Sequence, residues 1–329
     1  VRFIVRRVVF YLVAAWVAIT INFLIPRLMP GNPAEVLFSK FPSLQPAALH
    51  ALEVEFGIGH AGSLIHQYDQ YLVNIFVHGN LGLSVSYYPS RVTTIIAETL
   101  PWTLILVGTS TIISFTLGTL LGILAAWRRG GWFDRVLPAL SFLQGVPYFF
   151  LALLLVDAVA IHLQWFPIEG GYSQGLVPGW HWNFIGSAIY HSLLPAFTLV
   201  IASIAGWMLQ MRNVMITTIG EDYVLTAQAK GLSPRRVAMT YAARNAILPN
   251  LSGFALSLGF VISGALIMEI VFSYPGIGLT LFNAVTSDDY PLMQGIFLII
   301  CLAVLVANLV ADMVYVVADP RARTNTARS

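Results

Sequence analysis

The stretch WTLILVGTSTIISFTLGTLLGILAAWRRGG, Trp102 to Gly131, carries no charge from Trp102 to Trp127 and then meets Arg128 and Arg129. About 20 apolar residues in a helix cross the hydrocarbon core of a bilayer, so this run is long enough to span one. Arginines at its end mark where such a span stops. The run is also rich in glycine and hydroxyl residues, with Gly118 and Gly122 four positions apart. Small faces let membrane helices approach closely, and they also suit the wall of a polar pathway. Both readings stand at this point.

The rest of the chain has the same character. Hydrophobic residues make up 57% of its 329 positions and charged residues 10%. A soluble protein carries about 25% charged residues, so this composition excludes an ordinary water-facing surface. Six runs are long enough to span: Val8–Met29, Trp102–Trp127, Val136–Leu163, His191–Met211, Ile247–Phe272 and Met293–Ala318. The expectation is an all-α integral membrane protein with six transmembrane helices. The first run follows basic residues, as a signal peptide does, but it is longer and lacks a clear small-x-small cleavage site. It reads as an uncleaved span. The single cysteine, Cys301, lies in an apolar run and excludes an intrachain disulfide.

The charges sort by side. If six spans alternate, all of the 17 basic residues except Arg27, Lys40 and Arg91 fall on one side. The positive-inside rule then places both termini in the cytoplasm. The net charge of +2 gives no reason to expect nucleic acid as a partner. Residues 1–29 form the first helix and 319–329 a cytoplasmic tail. Residues 30–101 form an extracytoplasmic segment with helical patterning in PAALHALEVEF and SLIHQYDQYLVNIFVHG. Residues 102–318 form a five-helix core.

Several chemistries lack their motifs. Neither Lys40 nor Lys230 lies in a phosphate-binding GxxxxGK[ST] loop, so ATP would have to act through another chain. HExxH, CxxC and GxSxG are also absent. His50, His60, His66 and His78 share the external segment without metal-ligand spacing and read as solvated loop residues. Catalytic residues and metal ligands are not expected. Asp157, Glu269 and Asp312 fall within spans, where a carboxylate must face protein or water. They fit either a pathway or hydrogen bonds to neighbouring helices. Gly253 with Ser257, and Gly259 with Ser263, repeat the small-residue spacing of the second span. Ser257 and Ser263 therefore carry the same choice between pathway and packing.

One polar stretch interrupts this pattern: EDYVLTAQAKGLSPRR, Glu221 to Arg236. Glu221 and Asp222 suit a helix start, Tyr223 to Lys230 lacks a breaker, and Gly231 suits a helix stop. Ser233 and Pro234 then suit the N-cap and first position of a second helix running to Ile247. Helix, sharp turn and helix are expected within the loop 212–246. Composition leaves open whether the first helix lies in the lipid interface or docks against a protein.

The sequence EDYVLTAQAKGLSPRRVAMTYAARNAILP resembles the EAA loop of binding-protein-dependent ABC importer permeases, in the form of the peptide/nickel subfamily. The resemblance covers nearly the whole chain. It includes the opening RFIVRRVVFYLVAAWVAITINFLIPRLMPGNPAE and the external HQYDQYLVNIFVHGNLGLS. It continues through LGILAAWRRGGWFDR and EIVFSYPGIGLTLFNAVTSDDYPLMQG to NLVADMVYVVADPRAR.

This resemblance implies a type I ABC importer permease (MetI-like) core with an extra N-terminal helix. It also implies a coupling helix seated in a groove of a cytoplasmic ATPase. Glu221, Asp222, Tyr223, Thr226, Ala227, Lys230, Gly231 and Arg235 fall in or beside that element. The implied partners are a second homologous permease, two ATPase subunits, an extracytoplasmic substrate-binding protein and membrane lipid. No cofactor is expected on this chain, with ATP and Mg on the ATPases. Oligopeptide is the implied cargo, with oligosaccharide or nickel as alternatives. A proton-coupled secondary transporter using the three acids is the reading from another class.

Four positions, Asn32, Asn80, Leu83 and Leu225, depart from the family pattern. Asn32 replaces the aspartate of the opening PGDP. Gly79-Asn80-Leu81-Gly82-Leu83-Ser84 replaces GDLGRS, and Leu225 stands where an arginine is frequent.

Overall fold

The computed structural model describes residues 2–28, 63–131, 142, 145–261 and 266–318. The expected helix in PAALHALEVEF, and Asn32, Lys40, His50, His60, Arg135, Ser263 and the tail from Asp319, lie outside the described residues. Apart from one isolated bridge between Leu83 and Arg91, the regular structure among the described residues is helical.

In chain order the helices are α1 (Arg2–Leu28), α2 (Leu64–Phe76), α3 (Val92–Trp127) and α4 (Tyr148–Leu155). A π-helical stretch, Val156–His162, prolongs α4, and α5 (Trp182–Ile219) and α6 (Asp222–Ala229) follow. Next, α7 (Pro234–Arg236) passes through a second π-helical stretch, Val237–Ala243, into α8 (Arg244–Phe260). The chain continues with α9 (Leu266–Val271), α10 (Ile277–Thr286) and α11 (Tyr290–Ala318).

Four of these helices are long and apolar enough to cross a membrane, over Val5–Ile25, Val92–Trp127, Trp182–Ile219 and Tyr290–Met313. They correspond to the first, second, fourth and sixth expected spans. The third is described as the shorter apolar helix Tyr148–His162, and the start of its expected range is not among the described residues. The fifth corresponds to α8 and α9, on either side of residues 262–265.

Two helices exceed the expected spans. α3 has 36 residues and α5 has 38, each about 55 Å long against a hydrocarbon core of about 30 Å. Their starts lie before Pro101 and Pro195, which both sit inside a helix. Proline in a membrane helix is tolerated because neighbouring groups can satisfy the freed backbone. Helix α10 was not expected as an element. Its buried Ile277, Thr280, Leu281 and Ala284 make one face at helical spacing, which the apolar pattern alone did not separate from a loop.

The described residues form two compact units. The first comprises residues up to Thr103, Leu266, and Pro275–Val306. Its core contains Val92, Ile95, Ile96, Ile277, Leu281, Ala284, Leu292 and Ile296. α1 is held by Asn22, whose side-chain amide donates to Tyr71 Oη at 3.1 Å and to the Gln294 carbonyl at 3.0 Å. Thr20 and Tyr68 pair through their hydroxyls at 2.7 Å, and Phe23 packs on both tyrosine rings of α2. Ser63 caps α2 by accepting from the His66 amide.

The second unit comprises Leu104–Val261, Ile267–Tyr274 and residues from Ala307 on. Here α3 and α5 approach backbone to backbone. A methyl group at Gly118 would lie 2.7 Å from the Ile204 carbonyl oxygen, and one at Gly122 would lie 2.5 Å from that of Met208. These glycines therefore serve packing, which resolves the choice the sequence left open for them. Asn250 of α8 is fully buried and donates to Thr119 Oγ1 and to the Trp207 carbonyl, each at 3.3 Å. It ties α8 to α3 and α5.

Candidate functional site

The polar stretch after α5 folds as helix, turn and helix. Glu221 takes the extended N-cap conformation of α6 without a capping side-chain bond, and Asp222 occupies the first turn. The helix ends at Lys230, and Gly231 follows at φ +72°, the left-handed conformation that glycine adopts without penalty. The Gly231 amide donates to the Gln228 carbonyl at 2.9 Å, and the Leu232 amide to the Ala227 carbonyl at 3.4 Å. This paired bonding closes the last turn and reverses the chain. Pro234 then opens α7 at its first position. That second helix does not stop at Ile247; it runs on through the π-helical stretch into α8.

Helix α6 has two distinct faces. Val224 and Ala227 are buried among Ile123 and Ala126 of α3, Met211 and Met215 of α5, and Ala242, Ala243 and Ala246 beyond the turn. Tyr223 and Leu225 are 41% and 48% exposed, and Glu221, Asp222, Thr226, Lys230, Gly231 and Arg235 are exposed as well. Ala227 thus belongs to the inner face, while Thr226 lies on the outer face. Thr226 bonds its hydroxyl to the Asp222 carbonyl at 2.7 Å, which leaves the outer face shaped by Tyr223, Leu225 and Lys230. Exposed Tyr223 and Leu225, with a cation at the end of the same short helix, suit contact with another chain. The buried pair links this helix to the ends of three longer helices.

The three acids expected in spans have different surroundings. Glu269 is fully buried in α9. The turn that follows folds back on it: the Tyr274 amide donates to the Glu269 carbonyl at 2.8 Å. Tyr274 is also buried, and its hydroxyl lies 3.0 Å from Ser192 Oγ of α5. The Gly170 amide donates to the Phe272 carbonyl at 2.9 Å. Ser273 adopts φ +45° within this turn. Burial pushes the Tyr274 hydroxyl above its ordinary pKa; the Ser192 hydrogen bond opposes that shift and the Glu269 charge adds to it. Glu269 therefore sits under a braced turn.

Asp157 lies in the π-helical stretch with its side chain 65% exposed, and His162 Nδ1 is 3.6 Å from its carboxylate. Asp312 is half-buried in α11. Glu269 lies in α9, Asp157 in the π-helical stretch after α4 and Asp312 in α11, on three separate elements. Ser257 is half-buried and donates to the Phe254 carbonyl of its own helix at 2.8 Å. No group of three or more potential metal ligands occurs among the described residues.

One fully buried carboxylate, Asp289, escaped the sequence reading. It accepts from Ser84 Oγ, from the Ser86 amide and from the Leu292 amide. Two adjacent aspartates in SDDYP gave no sign of which one turns inward. Asn80, where the family pattern has an acid, accepts from the Gly82 amide at 3.0 Å. A side-chain carbonyl is sufficient for that turn, so the loss of charge leaves it intact.

Comparison with known proteins gives a consistent result. The family model described as "Binding-protein-dependent transport system inner membrane component" matches residues 118–324, and its N-terminal companion matches residues 1–107. A di/tripeptide transport system permease protein of Pseudomonas aeruginosa is 33% identical, over 98% of each chain. A probable peptide ABC transporter permease protein of Sinorhizobium fredii is 34% identical, over 98% of this chain and 99% of that one. An oligopeptide transport system permease protein of Bacillus subtilis is 31% identical, over 92% of each.

Proposed function

The chain belongs to the family of binding-protein-dependent transport system inner membrane components, and on that premise we propose that it is the permease subunit of an ATP-binding-cassette importer of oligopeptides. The observation that carries the cargo is the set of peptide permeases it matches along nearly their whole length. The subunit pairs with a second, similar permease and with two ATPase subunits. An extracytoplasmic binding protein delivers the peptide. ATP and Mg act on the ATPases, and no bond is broken on this chain.

Both termini and the loop 212–246 face the cytoplasm, in line with the placement of the arginines. The first helix (1–29) and the external segment (30–101) precede the five-helix core (102–318). Helix α6 is the coupling helix. Tyr223, Thr226 and Lys230 of its outer face meet the ATPase, flanked by Glu221, Asp222, Gly231 and Arg235. Its inner face carries the displacement to α3, α5 and α8 through Val224 and Ala227. A close-packed cluster transmits such movement because it has no free volume to absorb it. The permease pair then alternates between outward and inward access.

The test is reconstitution of the four-subunit complex with its binding protein in liposomes. Peptide uptake requires ATP, and Lys230→Glu abolishes uptake while the permease pair still assembles. Uptake by this chain alone, driven by a pH gradient without ATP, would overturn the proposal.

A further inference from the structure

A cavity of about 290 Å³ opens where two of the longest apolar helices end. Ala126, Trp127 and Arg129 line it from the end of α3, Ile216 and Ile219 from the end of α5, and Gln228 from α6. Its lining is mostly apolar and includes a guanidinium, an indole and a side-chain amide, each of which carries hydrogen-bond donors. Arg128 and Arg129 are exposed, and neither side chain has a hydrogen bond or ion pair among the described residues. The carboxylates of α6, Glu221 and Asp222, stand at the opposite end of that helix from Gln228.

The part of α3 that precedes these lining residues exposes apolar side chains. Leu117, Leu120 and Leu124 of α3 are each more than four-tenths exposed, and their helical spacing leads one turn further to Arg128. A leucine stripe ending in exposed arginines and a tryptophan matches the profile of a bilayer, from acyl chains to anionic headgroup. The volume lies at the low end for a ligand pocket, about 300–1,000 Å³, and so fits a headgroup whose chains remain outside along the helices.

We propose that this cavity is a site for the headgroup of an anionic phospholipid. The phosphate pairs with Arg129 and accepts from the Trp127 indole and the Gln228 amide. Its glycerol end rests on Ile216 and Ile219. The bound lipid thereby bridges α6 to the ends of α3 and α5. This site depends neither on the cargo nor on which subunits complete the transporter.

Native mass spectrometry of the full chain tests the assignment, with titrations of phosphatidylglycerol, phosphatidylcholine of the same chains, and soluble glycerol 3-phosphate. One phosphatidylglycerol is retained with about fivefold preference over phosphatidylcholine, as expected for one cation beside an anionic headgroup. Arg129→Gln removes the preference, whereas Arg91→Gln preserves it. The comparison of the two lipids on the unaltered chain stands whatever the variants do to folding. Equal retention of both lipids would overturn the proposal, as would equal loss in both variants. Glycerol 3-phosphate binding as tightly as the lipid would identify a free-phosphate site instead. Absence of retained phosphatidylglycerol from the assembled transporter would mean that protein covers the cavity, and the proposal would fail.

Discussion

Ser84 Oγ donates a hydrogen bond to Asp289 Oδ2 at 2.5 Å, joining two buried side chains that are 205 positions apart. The same carboxylate accepts from the Ser86 amide at 2.8 Å and from the Leu292 amide at 3.2 Å. One buried carboxyl group thus fixes the segment before α3 to the start of α11. Asp289→Ala leaves a hydroxyl and two amides without their acceptor, and we expect a loss of about 3 kcal/mol. Asp289→Asn retains one acceptor and loses about half as much. Thermal unfolding of the detergent-solubilised chain measures both. An unchanged midpoint for the alanine variant would remove the anchoring role.

The approach of α3 to α5 gives a contrast within one helix pair. A methyl group at Gly122 would lie 2.5 Å from the Met208 carbonyl oxygen and 2.8 Å from Met211 Cβ. Gly122→Ala therefore forces the helices apart, at a cost of about 1–3 kcal/mol. On α5 itself, a methyl group at Gly186 would meet nothing within 4 Å. Gly186→Ala gains up to about 1 kcal/mol from helix propensity. The two unfolding midpoints should move in opposite directions, and a shared direction would argue against glycine as the contact.

Tyr274 predicts an alkaline effect. Burial raises its pKa, so above its ordinary value near 10 the unfolded chain releases this proton more readily than the folded one. Its contribution is complete below that pH and is lost as pH rises through the folded value. Tyr274→Phe removes the contribution together with the hydrogen bond to Ser192. The difference in unfolding midpoint between parent and variant should shrink as pH is raised above about 10. A difference that grows with pH would contradict the burial of this hydroxyl.

Much of the architecture was legible because lipid simplifies the code. A charge-free run ending in arginines, such as Trp102 to Arg129, has few alternatives to a span. The stop at Gly231 was legible for a similar reason, since few residues accept its backbone conformation. The lengths of α3 and α5 were not legible. Proline before a span reads as a boundary, yet Pro101 sits inside a helix that starts earlier, and α5 starts at Trp182, ahead of the expected His191. The depths of Glu269, Asp157 and Asp289 were also hidden. Burial of an acid depends on donors far along the chain, as Ser84 is from Asp289, and local pattern carries no trace of them.

Gly231 offers the most direct test of α6 as a force-receiving element. Its φ of +72° is costly for other residues, and a methyl group there would meet nothing within 4 Å. Gly231→Ala therefore isolates the backbone cost, about 1–2 kcal/mol, from any steric clash. Gly231→Asn costs less, because asparagine visits this region more readily. Gly231→Pro is the severe case: it fixes φ at a negative value and removes the amide that bonds the Gln228 carbonyl. The turn then aims α6 differently while the spans remain able to fold. In the reconstituted transporter, peptide-stimulated ATP hydrolysis should fall slightly for asparagine, further for alanine, and to the unstimulated rate for proline. The proline chain should still elute as a monodisperse species with its partner permease. Wild-type stimulation in that variant would mean that the orientation of α6 plays no part in coupling.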